Sequence, residues 1–131
     1  MAGIYLHIPF CRKACVYCDF HFSTSLKQKD AMVSALKQEI QLRKDFGKVP
    51  PLIESIYFGG GTPSVLTSDE IQGLIAAIHQ HYPVSEKAEI TLEANPDDLD
   101  ASYLRSLAQT SINRLSIGIQ SFDKSVLQAM N

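Results

Sequence analysis

Two rhythms of apolar residues alternate along the chain. Short runs rich in β-branched residues predict strands, and longer stretches whose apolar positions return every three or four residues predict helices. Gly3 to Ile8 is the first strand, ended by Pro9, which has no N–H for a ladder. From Lys29 to Phe46 the residues Met32, Val33, Leu36, Ile40 and Phe46 share a helical face, with Asp30 as cap and Gly47 as stop. Pro50 and Pro51 punctuate, and Ile53 to Phe58 forms a second strand that ends at Gly59-Gly60-Gly61-Thr62-Pro63. Ser68-Asp69-Glu70 opens a helix carrying Ile71, Leu74, Ile75 and Ile78, closed by Tyr82-Pro83. Ala88 to Glu93 is a third strand, with Ile90 and Leu92 facing one way and Glu93 at its C-terminal end, and Asn95-Pro96-Asp97-Asp98 turns the chain. Asp100 or Ser102 starts a helix through Leu104, Leu107 and Ala108. Arg114 to Ile119 is a fourth strand, and Gln120-Ser121-Phe122-Asp123 leads into a last helix, Ser125 to Met130.

Four strand–helix units predict an α/β fold with a parallel sheet and right-handed crossovers. Four units do not close a barrel. Residues 1–131 are therefore expected to be the N-terminal portion of a larger one.

Composition narrows the function. With 45% hydrophobic and 20% charged residues in 131, the chain is expected to be one soluble domain. Its net charge of −2 and scattered basic residues leave no footprint for nucleic acid. No apolar run approaches the ~20 residues of a membrane span, and the start, Met1-Ala2-Gly3-Ile4-Tyr5, lacks a secretory pattern. A cytoplasmic location is expected. The 3 cysteines all fall in Cys11-Arg12-Lys13-Ala14-Cys15-Val16-Tyr17-Cys18, which argues for metal or redox work rather than a disulfide framework.

Thiolates hold iron–sulfur clusters, and three of them on a cube of four irons leave one iron open. Structural zinc is the alternative. His7 and His21 lie near, but the three-then-two spacing is atypical of zinc pairs. Arg12 and Lys13 would offset the negative charge of thiolates, or serve only as solvated loop residues.

In parallel barrels the loops after the strands face one mouth. The cysteine loop, Gly59 to Pro63, Glu93 and Gln120 all follow or end a strand, so all four converge there. The glycine run permits a close backbone approach to a ligand, or is merely a tight turn, and no P-loop lysine follows it. Glu93 at the mouth can accept bonds from ligand hydroxyls. His79 and His81 belong to a helix end, and His7 is either a substrate contact or a satisfied structural histidine.

Tyr5-Leu6-His7-Ile8-Pro9-Phe10-Cys11, continued by Cys15, Tyr17-Cys18 and Phe20, resembles the radical S-adenosylmethionine superfamily, in its oxygen-independent coproporphyrinogen III oxidase-like branch. Gly59-Gly60-Gly61-Thr62-Pro63, Glu93-Ala94-Asn95-Pro96 and Arg114-Leu115-Ser116-Ile117-Gly118-Ile119-Gln120-Ser121-Phe122 match in order and spacing, so the resemblance covers nearly the whole chain. It implies the N-terminal (βα)4 part of a partial TIM-type barrel, with the rest of the barrel and a C-terminal domain beyond it. It implies a [4Fe–4S] cluster on Cys11, Cys15 and Cys18 whose open iron chelates S-adenosylmethionine. Tyr5 would line that cofactor's site, Gly60, Gly61 and Thr62 contact its methionine end, and Glu93 hold its ribose. Gln120 matches a position that contacts a second adenosylmethionine. An electron from a donor reduces the cluster, and cleavage of the sulfonium yields a 5′-deoxyadenosyl radical. The branch holds enzymes that decarboxylate porphyrinogen propionates and HemW-type chaperones that bind heme and deliver it to acceptor proteins. Because strand one begins at Gly3, without the oxidases' N-terminal extension, the resemblance is stronger to the chaperones.

Overall fold

The computed structural model describes residues 2–45 and 51–130. Strands β1 (Ala2–Ile8), β2 (Ile53–Gly60), β3 (Val84–Ala94) and β4 (Arg114–Ile117) form one parallel sheet in that order. Each is followed by its helix: α1 (Lys29–Leu42), α2 (Ser68–His81), α3 (Ala101–Leu107) and α4 (Lys124–Met130). Parallel neighbours need such crossovers, so the alternation read from the sequence becomes the topology. The α/β class and the parallel sheet are as predicted.

The register explains where the core sits. Leu6 pairs with Phe58, Phe58 with Leu92 and Leu92 with Leu115, so one apolar row crosses all four strands. Alternate residues point the same way. Leu6, Ile8, Ile56, Phe58, Ile90 and Leu92 therefore face the helices and are buried against Val33, Ile40, Ile71, Leu74, Ile75, Ile78 and Leu107. The intervening positions Tyr5, His7, Tyr57, Thr91 and Glu93 lie on the opposite face.

Element ends differ from the sequence reading in physically simple ways. A 3-10 turn, Leu26–Gln28, runs directly into α1, so Gln28 occupies the cap position without a side-chain bond and Asp30 lies inside the first turn. Phe46, Gly47 and Pro50 fall outside the described residues. Thr67 caps α2 one residue before the predicted opening: its hydroxyl accepts from the Glu70 N–H while its own N–H donates to the Glu70 carboxylate. Asp100, not Ser102, caps α3 by accepting from the Tyr103 N–H at 2.7 Å. β3 starts at Val84 because that residue already pairs with Ile53. β4 stops at Ile117, where the backbone turns through an Ile119-to-Ile117 bond. Gln120 therefore sits in the following loop rather than at the strand end, in a left-handed conformation at φ 65°. Among the described residues no helix is long and apolar enough to cross a membrane.

Candidate functional site

The segments that follow the strands gather at one end of the sheet. Their tight joints are made by backbone bonds between loops. Gly61 N–H donates to Ile8 O at 2.9 Å and Thr62 N–H to Phe10 O at 2.7 Å, which lays the glycine loop along the start of the cysteine loop. Cys11 N–H donates to Ser23 O at 3.0 Å and Ser23 N–H to Pro9 O at 2.8 Å, closing the cysteine loop at its base.

Glycine is required at two points of this joint. Gly60 adopts φ +118°, which L side chains rarely adopt, and a Cβ there would also meet the His7 ring at 2.7 Å. A Cβ at Gly61 would press on Phe10 O at 2.8 Å and on Cys11 Sγ at 3.0 Å. The bare glycine leaves the sulfur its place.

A cavity of about 310 Å³ opens at this end, and Cys11, Cys15, Cys18, Gly60, Gly61, Thr62, Glu93 and Gln120 all line it, with Asn95, Ser116 and Tyr17. Eight of the nine site residues singled out from the sequence are thus brought together. Tyr5 is the exception: it lies farther down the open face, 58% exposed, its ring stacked on Tyr57 at 6.1 Å between centroids. His7 serves locally, its Nδ1 lying 3.2 Å from the Tyr5 hydroxyl. Arg12 does not turn toward the thiols; its Nε donates to Asp98 at 2.7 Å.

The Glu93 carboxylate is held on both oxygens. The Tyr57 hydroxyl donates to Oε1 at 2.7 Å and Gly60 N–H donates to Oε2 at 3.2 Å. Tyr57 is pushed above the usual phenol range, chiefly by this bond to a carboxylate, which an ionised phenol could not donate, and by burial. Sequence reasoning missed Tyr57. Its signal was available, since it lies two residues before Gly59 and so shares the outward face of β2.

The thiols form an electrostatically coupled group. Burial pushes the Cys11 thiol up. The Thr62 hydroxyl, donating to Cys11 Sγ at 3.2 Å, opposes that rise, while Cys18 and Cys15 add to it. Neighbouring thiolates repel, so ionising all three together calls for positive charge between them. The donor set of three thiols suits an iron–sulfur cluster. Among the described residues no three His, Cys, Asp or Glu side chains are gathered closely enough around one point to hold a single metal ion.

Comparison with known proteins agrees with this arrangement. Residues 5–131 match the radical SAM superfamily. An oxygen-independent coproporphyrinogen III oxidase from Bradyrhizobium diazoefficiens is 37% identical over 99% of this chain and 29% of its own length. A heme chaperone, HemW, from Bacillus subtilis is 38% identical over 98% of this chain and 34% of its own length. In structure, the chain is similar to coproporphyrinogen III oxidase (HemN) from Escherichia coli, a radical SAM enzyme, with TM-score 0.85 and 32% identity over 96% of this chain and 29% of that one. The chain thus spans about a third of the length of the relatives it matches. A superfamily match over nearly the whole chain, a shared fold and three thiols beside a glycine loop at one sheet end lead to the same conclusion: the chain belongs to the radical SAM superfamily.

Proposed function

We propose that this chain is the cluster- and adenosylmethionine-binding half of a radical SAM barrel, and that the protein is a heme chaperone of the HemW type. Membership of the superfamily implies a [4Fe–4S] cluster and S-adenosylmethionine. The observation that carries the reading is the single cavity shared by Cys11, Cys15, Cys18, the glycine loop and Glu93. Cys11, Cys15 and Cys18, all of which line the cavity, are the cluster ligands. Once bound, the reduced cluster supplies the electron that cleaves the sulfonium of adenosylmethionine.

The chain's own groups bind and orient. The backbone at Gly60 and Gly61, free of side chains, and the Thr62 hydroxyl receive the methionine end. Glu93, fixed by Tyr57 and Gly60, accepts from the ribose hydroxyls. Gln120 contacts a second adenosylmethionine. Tyr5, stacked through Tyr57 on the Glu93 side, flanks the cofactor from the open face. An external electron donor, heme, and heme-acceptor proteins complete the set of partners, and the three free cysteines suit a reducing compartment such as the cytoplasm.

The similarity to the Bacillus subtilis chaperone over 98% of this chain supports the heme reading. The structural similarity to HemN favours a second one, radical decarboxylation of porphyrinogen propionates. Anaerobic reconstitution of the intact protein with iron and sulfide separates them: stable heme uptake without turnover is the expected result, and conversion of coproporphyrinogen III to protoporphyrinogen IX would replace the chaperone with the oxidase. Cys11→Ala, Cys15→Ala and Cys18→Ala should each abolish the visible absorption that bleaches with dithionite, and an unchanged spectrum in any of them removes that residue from the ligand set.

A further inference from the structure

The cysteine loop is pinned most densely at its base. Its base, from Pro9 to Cys11, is held by the backbone bonds to Ser23, Gly61 and Thr62. Beyond Cys11 the chain runs outward through Arg12, Lys13 and Ala14, all exposed, and two contacts tie it to the rest of the fold: the Val16 N–H, which donates to Met130 O at 3.2 Å near the end of α4, and, nearer Cys11, the Arg12 side chain. Arg12 Nε reaches Asp98, 86 residues away, at 2.7 Å. The Asp98 side chain is 5% exposed, whereas that of Arg12 is 62% exposed. A carboxylate that deeply buried needs its lone pairs taken. Its second oxygen accepts from the Ser64 hydroxyl at 2.6 Å, and Ser64, 3% exposed, itself accepts from Asn95 N–H at 3.1 Å. One carboxylate therefore ties three loops together: the cysteine loop through Arg12, the glycine loop through Ser64, and its own loop after β3.

We propose that Asp98, acting through Arg12, is a positioning residue that sets the direction in which the chain leaves Cys11 and so holds Cys15 and Cys18 in reach of a cluster seated on Cys11. The role rests on the cluster assignment made above. It also gives Arg12 a function other than neutralising thiolate charge. Removing Arg12 leaves Asp98 its bond from Ser64, so the fold is kept, while the cysteine loop, released from Asp98, can swing. Partners that orient a ligand from behind are worth about 10- to 100-fold in metal affinity.

The test compares Arg12→Gln, Arg12→Lys and Asp98→Asn in the anaerobically reconstituted intact protein, reading iron loss to a chelator and, separately, thermal unfolding of the metal-free form. Arg12→Gln is expected to speed iron loss about tenfold, while the metal-free melting point falls by only a few degrees, since the Ser64 hydroxyl still donates to the other Asp98 oxygen. Arg12→Lys, which can still reach the carboxylate, is expected to recover most of the retention. Asp98→Asn should match Arg12→Gln, and the double variant should be no worse than either single one. Iron retention in Arg12→Gln equal to the parent's overturns the tether. So does faster loss that Lys fails to recover, or loss accompanied by an equal fall in metal-free stability, which would mark a purely structural role. A parent protein that takes up no iron and sulfide overturns the cluster assignment itself, a failure visible before any variant is compared.

Discussion

The two faces of the sheet are built from the same strands and do opposite things. On the helix side Leu6, Ile8, Ile56, Phe58 and Leu92 are all at or below 2% exposed and make the core. On the other side their immediate neighbours Tyr5, His7, Tyr57 and Glu93 are joined by polar contacts and ring stacking. Parallel sheets are ordinarily apolar on both faces because both are covered. Here the second face is polar, and its groups hold one another in place beside the cavity. Stability and chemistry are divided by strand periodicity: one residue along the chain moves from one task to the other.

The contrast is broken most strongly by Phe58→Ala. Phe58 is fully buried, so truncation removes its transfer free energy and leaves a cavity, at a cost of about 3–5 kcal/mol. Urea unfolding should show a loss of that size, together with loss of all site functions as the population unfolds. A loss under about 1 kcal/mol would mean that the helix face is not the core.

Next comes Glu93→Gln on the opposite face. The change keeps the shape of the side chain: the amide oxygen can accept from Gly60 N–H, and the amide NH2 can donate to the Tyr57 hydroxyl, which turns from donor to acceptor. Stability should move by no more than about 0.5 kcal/mol, as for substitutions outside the core. Adenosylmethionine affinity of the iron-loaded protein should fall about 10- to 100-fold, the worth of bonds from ligand hydroxyls to a charged group. Equilibrium dialysis checks it, and unchanged affinity would take Glu93 out of the ribose site.

This division also marks what could be read in advance. Which residues share a face follows from a period of two, so the core row and the outward setting of Glu93 were legible in Ile90, Leu92 and Glu93 alone. The convergence of the cysteine loop, glycine loop and Glu93 was legible too, because every loop after a parallel strand emerges at the same end. Contacts between loops were not. Arg12 looked like a charge beside thiols, yet it is claimed by an aspartate 86 residues on, and no local pattern encodes that pairing. Gln120 was expected at the end of a strand running to Ile119, since Ile117 and Ile119 alternate as strand residues do. The ladder in fact stops at Ile117, and the chain turns back on itself. Thr67 was overlooked as a cap because Ser68 and Asp69 beside it offer equally suitable oxygens, and only the geometry chooses among them.

The smallest expected effect is the most informative about how the open face works. Tyr57→Phe deletes one hydroxyl, that which donates to Glu93 Oε1 at 2.7 Å, and keeps the ring that stacks on Tyr5. Gly60 still holds the other carboxylate oxygen, and the site is open enough for water to replace part of the lost bond. The weakening of adenosylmethionine binding should therefore be modest, about fivefold, corresponding to about 1 kcal/mol for a single hydrogen bond. The same bond makes a prediction in pH. It holds the Tyr57 phenol above its ordinary value of 10.0 in the folded chain, so the folded state keeps a proton that the unfolded state releases. Stability is then fully present below about pH 10 and declines as pH rises through the folded value. Tyr57→Phe has no proton to lose at that position, so near neutrality its curve should run parallel to and below the parent's by the contribution of the bond, and above pH 10 it should fall less steeply, so that the two converge. Urea unfolding at successive alkaline pH values measures both limbs. Parallel curves throughout would show that the hydroxyl is not bound to Glu93 in solution, and that the carboxylate is held at the cavity by Gly60 alone.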